Sequence, residues 1–211
     1  YIGEMQLSTG GAAMDSIRKT ISKELDRGQK VVSIGGDHSI TFPIIQAYSQ
    51  SYPDLNILHI DAHPDLYDNF DNNLYSHASP FARIMENNLV NRLVQVGIRT
   101  LNTHQKSQAE RFGVEIIEMI DFNPETVFTF DGPVYISIDM DGLDPAFAPG
   151  VSHFEPGGLS TRDIIRIIHQ LKGNVIGSDI VEYNPDRDIN NMTAMTAAKL
   201  MKEIIGKMVL L

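Results

Sequence analysis

A single-domain α/β fold, a three-layer α/β/α sandwich around a mainly parallel sheet, is what this sequence predicts. Three observations predict it. Short β-branched, apolar runs alternate with longer stretches of helical period along all 211 residues, and no repeat, linker or low-complexity segment interrupts them. Several runs are continuously apolar, the pattern of strands covered on both faces. Hydrophobic residues make up 42% and charged residues 21%, a balance that closes one large core at this length.

In chain order, Met14, Ile17, Ile21 and Leu25 recur three and four apart and predict a helix, with Gly28 as its stop. Strands are predicted at Val31 to Ile34, Asn56 to Ile60, Arg92 to Ile98, Val114 to Glu118 and Val134 to Ile138. Ser160, with Asp163 three residues on, has the form of a capping box. Ile164, Ile165, Ile168 and Leu171 follow it before Gly173, so a second helix docks there. Asn174 to Val181 supplies a sixth strand. Met192 to Met208 mixes small and apolar residues with Lys199, Lys202 and Lys207 and predicts a closing helix.

Composition narrows the function. The 17 Lys and Arg against 27 Asp and Glu give a formal net charge of -10, with no basic cluster to offset it. Such a surface repels phosphate backbones and anionic lipid, so neither nucleic acid nor membrane is an expected partner. No apolar run approaches the roughly 20 residues of a membrane span. The opening YIGEMQLSTGG lacks the basic-then-apolar order of a signal peptide. Without cysteine there is no disulfide, thiolate zinc site or thiol nucleophile, so a metal must be held by His and carboxylate, and a reducing compartment is expected.

In an open α/β sheet, ligands bind beyond the carboxyl ends of the strands. Here those ends carry acids and imidazoles. VVSI runs into Asp37-His38, NILHI into Asp61, His63 and Asp65, YISI into Asp139 and Asp141, and NVIGS into Asp179 and then Glu182. Side chains alternate along extended backbone, so Asp61, His63 and Asp65 can share one side, as can Asp139 and Asp141. Four carboxylates and two imidazoles at a buried sheet end require compensating positive charge, which two divalent cations supply. Taken singly, each group has a blander reading. An isolated Asp-x-His is usually a turn or a cap, Gly-Gly-Asp a tight turn, and DMDGLDP a solvated loop that lacks the later Glu of an EF-hand. Three such groups at strand ends in one short chain favour the two-metal centre. Of the remaining histidines, His59 lies inside an apolar run and reads as a core residue or a support for a ligand. His104 and His169 read as surface residues. His153, in GVSHFEPGG, either reaches a substrate or orders its loop.

The segments GGDHS, DAHPD, SHASPF, SIDMDGLDPAFAPG, EPGGLS and DIVEYNP stand in the order and spacing of the ureohydrolase family, which the sequence resembles over essentially its whole length. That family comprises arginases, agmatinases and related guanidino hydrolases. The fuller wording SHASPFARIME, LDPAFAPGVSHFEPGGLS, VEYNPDRD and MTAMTAAKL is most similar to the plant-type arginases. Family members carry more sequence before the GGDHS strand than the 34 residues found here, and this chain begins at Tyr1. Residues 1–211 are therefore expected to form the catalytic domain without an N-terminal strand-helix segment.

The resemblance implies two manganese ions. It assigns His38, Asp61, Asp65 and Asp139 to one, and His63, Asp61, Asp139 and Asp141 to the other, with Asp61 and Asp139 bridging. It also implies proton shuttling for His77, in SHASPF, and pairing with the substrate guanidinium for Glu182, in DIVEYNP. A guanidinium carbon is a poor electrophile, so its hydrolysis needs hydroxide at neutral pH, which a two-metal site supplies without a Ser or Cys nucleophile. Asp65 is expected to relay a proton to the leaving amine. The expected reaction is l-arginine to l-ornithine and urea, with agmatine to putrescine and urea as the alternative. The two substrates differ in the α-carboxylate of arginine, for which donors are sought among Asn69, Asn72, Asn73, Ser152 and His153.

The partners expected are a small cationic guanidino substrate and further copies of the chain, as a homotrimer or homohexamer. The expected compartment is the cytoplasm, or the mitochondrial matrix in a eukaryote. Other classes fit less well. Histone-deacetylase-like enzymes need a tandem His pair, and two-metal phosphoesterases a Gly-Asn-His-Asp or Gly-Asn-His-Glu element, both missing here. A non-catalytic ureohydrolase-like subunit is the remaining alternative, and intact ligand positions speak against it.

Overall fold

In a computed structural model that describes residues 2–209, helix α1 (Gly11–Leu25) leads into strand β1 (Val31–Ile34). Helix α2 (Thr41–Ser51) precedes β2 (Asn56–Ile60), α3 (Pro80–Glu86) precedes β3 (Arg92–Ile98), and α4 (Thr103–Phe112) precedes β4 (Glu115–Glu118). Then come β5 (Thr129–Asp139), α5 (Thr161–Gln170), β6 (Lys172–Val181) and α6 (Met192–Val209). The prolines of α2 and α3, Pro43 and Pro80, stand in first turns, where a missing N–H costs nothing.

The six strands form one sheet in the order β1-β6-β5-β2-β3-β4, and all five pairings are parallel. Alternation along the strands builds two cores. Leu58, Val94, Ile136 and Val175 face α5 and α6, meeting Ile164, Ile168, Leu200 and Ile204. Ile57, Leu93, Tyr135 and Ile176 face the other way, onto α1 to α4, meeting Ile17, Ile21, Ile45, Tyr48, Phe81 and Ala109. The inner strands have apolar partners above and below, which is why several read as near-continuous apolar runs.

The predicted strands are all present, with two early starts and one late one. β5 begins at Thr129 rather than Val134 and β6 at Lys172 rather than Asn174, while β4 begins one residue late, at Glu115. Gly132, Pro133 and Gly173 masked the two early starts, because such residues usually punctuate strands. The expected helix stop at Gly173 is corrected accordingly. α5 ends at Gln170, Leu171 caps it, and Gly173 lies inside β6 with φ 151, where a Cβ would stand 2.8 Å from Val134 Cγ2. The capping box is present as read: Ser160 Oγ accepts from the Asp163 N–H, and the Asp163 carboxylate accepts from the Ser160 N–H.

Topology places the site. β1, β6, β5 and β2 are four consecutive strands of the sheet, and they are the four whose carboxyl ends carry His38, Glu182, Asp139 and Asp61. Among the described residues no helix is long and apolar enough to cross a membrane.

Candidate metal centre

Beyond β1 the chain turns through Gly35 and Gly36, and the Asp37 carboxylate accepts from the Ser39 N–H, capping a 3-10 turn over His38–Ile40. Asp37 thus shapes the turn, and the turn delivers a fully buried His38. Its Nε2 lies 2.9 Å from Ser137 Oγ. Ser137 in turn donates to Asp179 Oδ1 at 2.6 Å, while Thr41 and the Tyr135 hydroxyl donate to Asp179 Oδ2 at 2.8 and 3.0 Å. With its one proton committed to Asp179, Ser137 must accept from His38 Nε2–H, which leaves the lone pair on Nδ1. That Nδ1 has no hydrogen-bond partner, yet oxygens of Asp61, Asp65 and Asp139 stand 3.2, 3.2 and 3.3 Å away. In the neutral ring that lone pair converges with three acid oxygens in a dry interior, an arrangement that is repulsive until a cation or a proton sits among them. Asp179 sits behind His38 rather than at the rim with the other strand-end acids.

The second group lies beside the first and shares Asp61. His63 Nδ1 is 3.4 Å from Asp61 Oδ1 and 3.2 Å from Asp141 Oδ2. The carboxylates are oriented by backbone: Asp61 Oδ1 accepts from His63 N–H at 2.6 Å, Asp139 Oδ1 from Asp141 N–H at 2.7 Å, and Asp141 Oδ1 from Ala62 N–H at 3.3 Å. All six predicted ligands converge, as His38, Asp61, Asp65 and Asp139 on one side and His63, Asp61 and Asp141 on the other. The donor set is oxygen-rich with two imidazoles and no thiolate, which fits hard divalent ions. Asp65 and Glu182 both hold left-handed backbone, at φ 50 and 63, a strained conformation for residues with side chains that clusters at functional sites.

Electrostatics carry the same message. Burial first, then the neighbouring Asp61 charge, lifts Asp65 to about 7 and Asp141 to about 6. Burial, with Asp141 and Asp61 behind it, pushes Asp139 well above the carboxylate range. Burial pulls both imidazoles down, but the acids outweigh it: Asp141 and Asp61 hold His63 at about 12, and Asp139, Asp61 and Asp65 hold His38 well above its ordinary value. Asp61 runs the other way. Burial raises it, but His59, His38 and His63 together keep it well below a normal carboxylate. Without cations the cluster balances its charge by gathering protons, so metal and proton compete for the same atoms.

Of the remaining predicted residues, Glu182, His77 and His153 lie nearest the cluster. Glu182 Oε1 accepts from His38 N–H at 2.9 Å, which fixes one oxygen of the carboxylate and leaves the other free. His77 and His153 stack at 5.8 Å and 14°, and His153 meets the His63 ring edge-on at 6.1 Å. Asp71 and Asn72, at φ 51 and 58, form a tight turn between Phe70 and Asn73, and Asn73 Oδ1 accepts from Tyr75 N–H. Asn72 and Asn73 therefore do turn work, while Asn69 is exposed beside them. Ser152 Oγ accepts from Asn184 Nδ2 at 3.0 Å. His104 and His169 are exposed, paired with Asp68 and Glu203.

Sequence reading missed several supports. Glu155, in EPGG, comes within 4.0 Å of His63 Nε2. Arg99 donates to the carbonyls of Gly97, Asp141, Gly142, Leu143 and Glu155, pinning the loop that carries Asp141 to the end of β3. Ser137 and Gln95 were the detectable ones: each is polar inside an apolar strand, and Ser137 lies two residues before Asp139, hence on its face.

Comparison with known proteins agrees with this geometry. The model of the Arginase family matches residues 2–206. Arginase 2, chloroplastic/mitochondrial, of Arabidopsis thaliana is 49% identical over 212 residues, covering 94% of this chain and 62% of the relative. An agmatinase of Bacillus anthracis is 32% identical, covering 96% of this chain and 73% of the relative. The structure of arginase from Medicago truncatula superimposes with a TM-score of 0.91 at 45% identity, covering 95% of this chain and 67% of that one. This chain thus spans about three-fifths of the plant relative's length, 62%. The strand-end acids and imidazoles, the parallel sheet that gathers them and a family match over nearly every residue agree: the chain belongs to the arginase family.

Proposed function

We propose that the protein hydrolyses l-arginine to l-ornithine and urea at a binuclear manganese centre held by His38, Asp61, His63, Asp65, Asp139 and Asp141. The observation that carries the metal reading is the buried His38 Nδ1, which has no hydrogen-bond partner yet stands 3.2 to 3.3 Å from oxygens of three carboxylates. When bound, the two ions supply the hydroxide nucleophile by lowering the pKa of water from about 15.7 towards neutrality. Asp61, close to both His38 and His63, would serve both ions, and Asp139 is assigned the same double role. Asp65 takes the proton released during attack and returns it to the leaving amine. The free oxygen of Glu182 pairs with the guanidinium, with its partner oxygen anchored on the His38 N–H. His77, stacked on His153 at the approach, exchanges protons with solvent.

Identity to plant arginases near 50% supports arginine over agmatine, whose named hydrolase is 32% identical. The α-carboxylate would be met by donors among Asn69, Asn72, Asn73, Ser152 and His153. A homotrimer or homohexamer is the proposed assembly, with a single monomeric species in light scattering as the result against it. The cytoplasm or the mitochondrial matrix is the proposed compartment. The deciding experiment compares kcat/KM for arginine, agmatine and guanidinobutyrate on the manganese-loaded protein, with urea as readout. Arginine should exceed the others. Agmatine ahead tenfold would reassign the substrate, and metal bound with no urea from any of them would make the protein a non-catalytic member of the family.

A further inference from the structure

His59 has no part in the reaction as proposed, yet it is wholly buried and touches the ligand shared by both metal groups. It lies on β2 two residues before Asp61, on the same face of the strand. Its ring stacks on Phe81 at 3.9 Å between centroids. Directly across the sheet, in register on β3, stands Gln95, a buried amide in the run RLVQVGI.

The hydrogen-bond directions here follow from one carbonyl. Gln95 Nε2 lies 2.7 Å from Pro64 O and 3.0 Å from His59 Nδ1. A peptide carbonyl only accepts, so the amide must present nitrogen rather than oxygen at that end, and its second N–H faces His59. Nδ1 is then an acceptor and the ring proton sits on Nε2, which donates to Asp61 Oδ2 at 2.8 Å. We propose that Gln95 and His59 are a positioning relay for Asp61: Gln95 fixes the His59 tautomer, and His59 Nε2–H holds Asp61 Oδ2 against the His38 side of the centre. Pro64 belongs to the DAHPD loop, so the same amide also ties down the segment between His63 and Asp65. The competing role is ligation, since one atom each of His38, His59 and Asp61 lie within 4.8 Å of one another. Both His59 nitrogens are already committed, which assigns it to support rather than coordination.

The relay rests on the two-metal reading, and the test keeps the two separable. Manganese titration calorimetry is run on the full chain and on Gln95→Met, His59→Gln and His59→Leu. Imidazole 15N spectra are recorded on the zinc-loaded, diamagnetic protein. The unsubstituted protein should bind two ions and show His59 protonated at Nε2. Gln95→Met should shift the His59 proton towards Nδ1 and weaken manganese binding about tenfold. His59→Gln, which keeps an N–H at the Nε2 position, should retain affinity to within about threefold, whereas His59→Leu should not. A His59 protonated at Nδ1 or bound to zinc overturns the relay, as does unchanged affinity in Gln95→Met or His59→Leu. If Gln95→Met does not fold, the unsubstituted tautomer and the His59 pair still decide. Failure of the unsubstituted protein to bind metal refutes the metal reading itself.

Discussion

Asp61 joins the two halves of the centre. One oxygen accepts from His59 and stands near His38, the other accepts from the His63 N–H and stands near that residue's ring. Asp61→Asn should therefore weaken both metals by more than about tenfold and abolish turnover, and Asp139→Asn should do the same. His77→Asn should slow turnover with both ions retained. Equal metal loss in all three variants, measured by elemental analysis after desalting, would contradict the division between ligands and shuttle. Glu182→Gln removes the charge proposed to face the guanidinium, so KM should rise about 10- to 100-fold while metal content holds. The raised acids also set a pH dependence for the metal-free chain. Asp65 at about 7 and Asp141 at about 6 lie above their unfolded values near 4, so their contribution is fully present below that value and lost as pH rises through 6 to 7. His63, held at about 12, acts in the same direction, its contribution being complete below about 6.5 and lost as pH rises towards 12. His59, which burial lowers to about 4, opposes them between about pH 4 and 6.5, and Asp61, held below its ordinary value, opposes them only below about 4. Urea midpoints in chelator should thus be lower at pH 8 than at pH 5, and Asp65→Asn should flatten the difference.

Elements were legible in proportion to how fully the sheet buries them. NILHI and YISI read as strands because both faces are covered, and their acidic ends read as a site because side-chain period and strand direction are fixed together. Boundaries were legible only where local chemistry agreed with packing. Ser160 and Asp163 announce α5, whereas Gly173 announces a stop that the structure overrides because the residue is needed against Val134. Tertiary partners such as Glu155 and Arg99 leave no local pattern, since most of what they touch lies about 40 to 90 residues away in the chain. Two glycines sharpen the point. A Cβ on Gly97, at φ 96, would lie 2.9 Å from Asp61 O, and one on Gly142 would lie 3.0 Å from Asp61 N and Cα. Strand β3 and the turn after β5 thus clamp the backbone of Asp61 from two sides. Gly142 has no left-handed backbone to protect, so Gly142→Ala tests crowding alone. It should cost about 1–3 kcal/mol in urea unfolding and weaken manganese binding, because the displaced element carries Asp61, the proposed shared ligand. Full stability with normal metal affinity would mean that the neighbours yield freely.

At the scale of the whole molecule, the fold gathers four carboxylates at the end of a buried sheet in a chain that already carries a net charge of -10. Backbone amides and two imidazoles orient those acids without cancelling them; the acids stand at the carboxyl ends of β2 and β5, and His38 and Glu182 beside them follow β1 and β6, so the cluster spans four consecutive strands of the six. Release of the charges would loosen β1, β6, β5 and β2 together rather than a single loop. Cations that bind only the assembled site therefore act as a fold-wide constraint, stabilising by about 2.7 kcal/mol per site at a hundredfold excess over Kd. For a chain of 211 residues, in the range where each kcal/mol moves Tm by about 2–4 °C, saturation of one site should raise Tm by roughly 5–10 °C. Manganese added to chelator-treated protein should produce that rise. Asp61→Asn should lose most of it, since both sites share that carboxylate, while His77→Asn should keep it in full. A verified two-ion occupancy that left Tm unmoved would show that the cluster binds metal as well in the unfolded chain as in the folded one, and would detach the centre from the stability of the sheet.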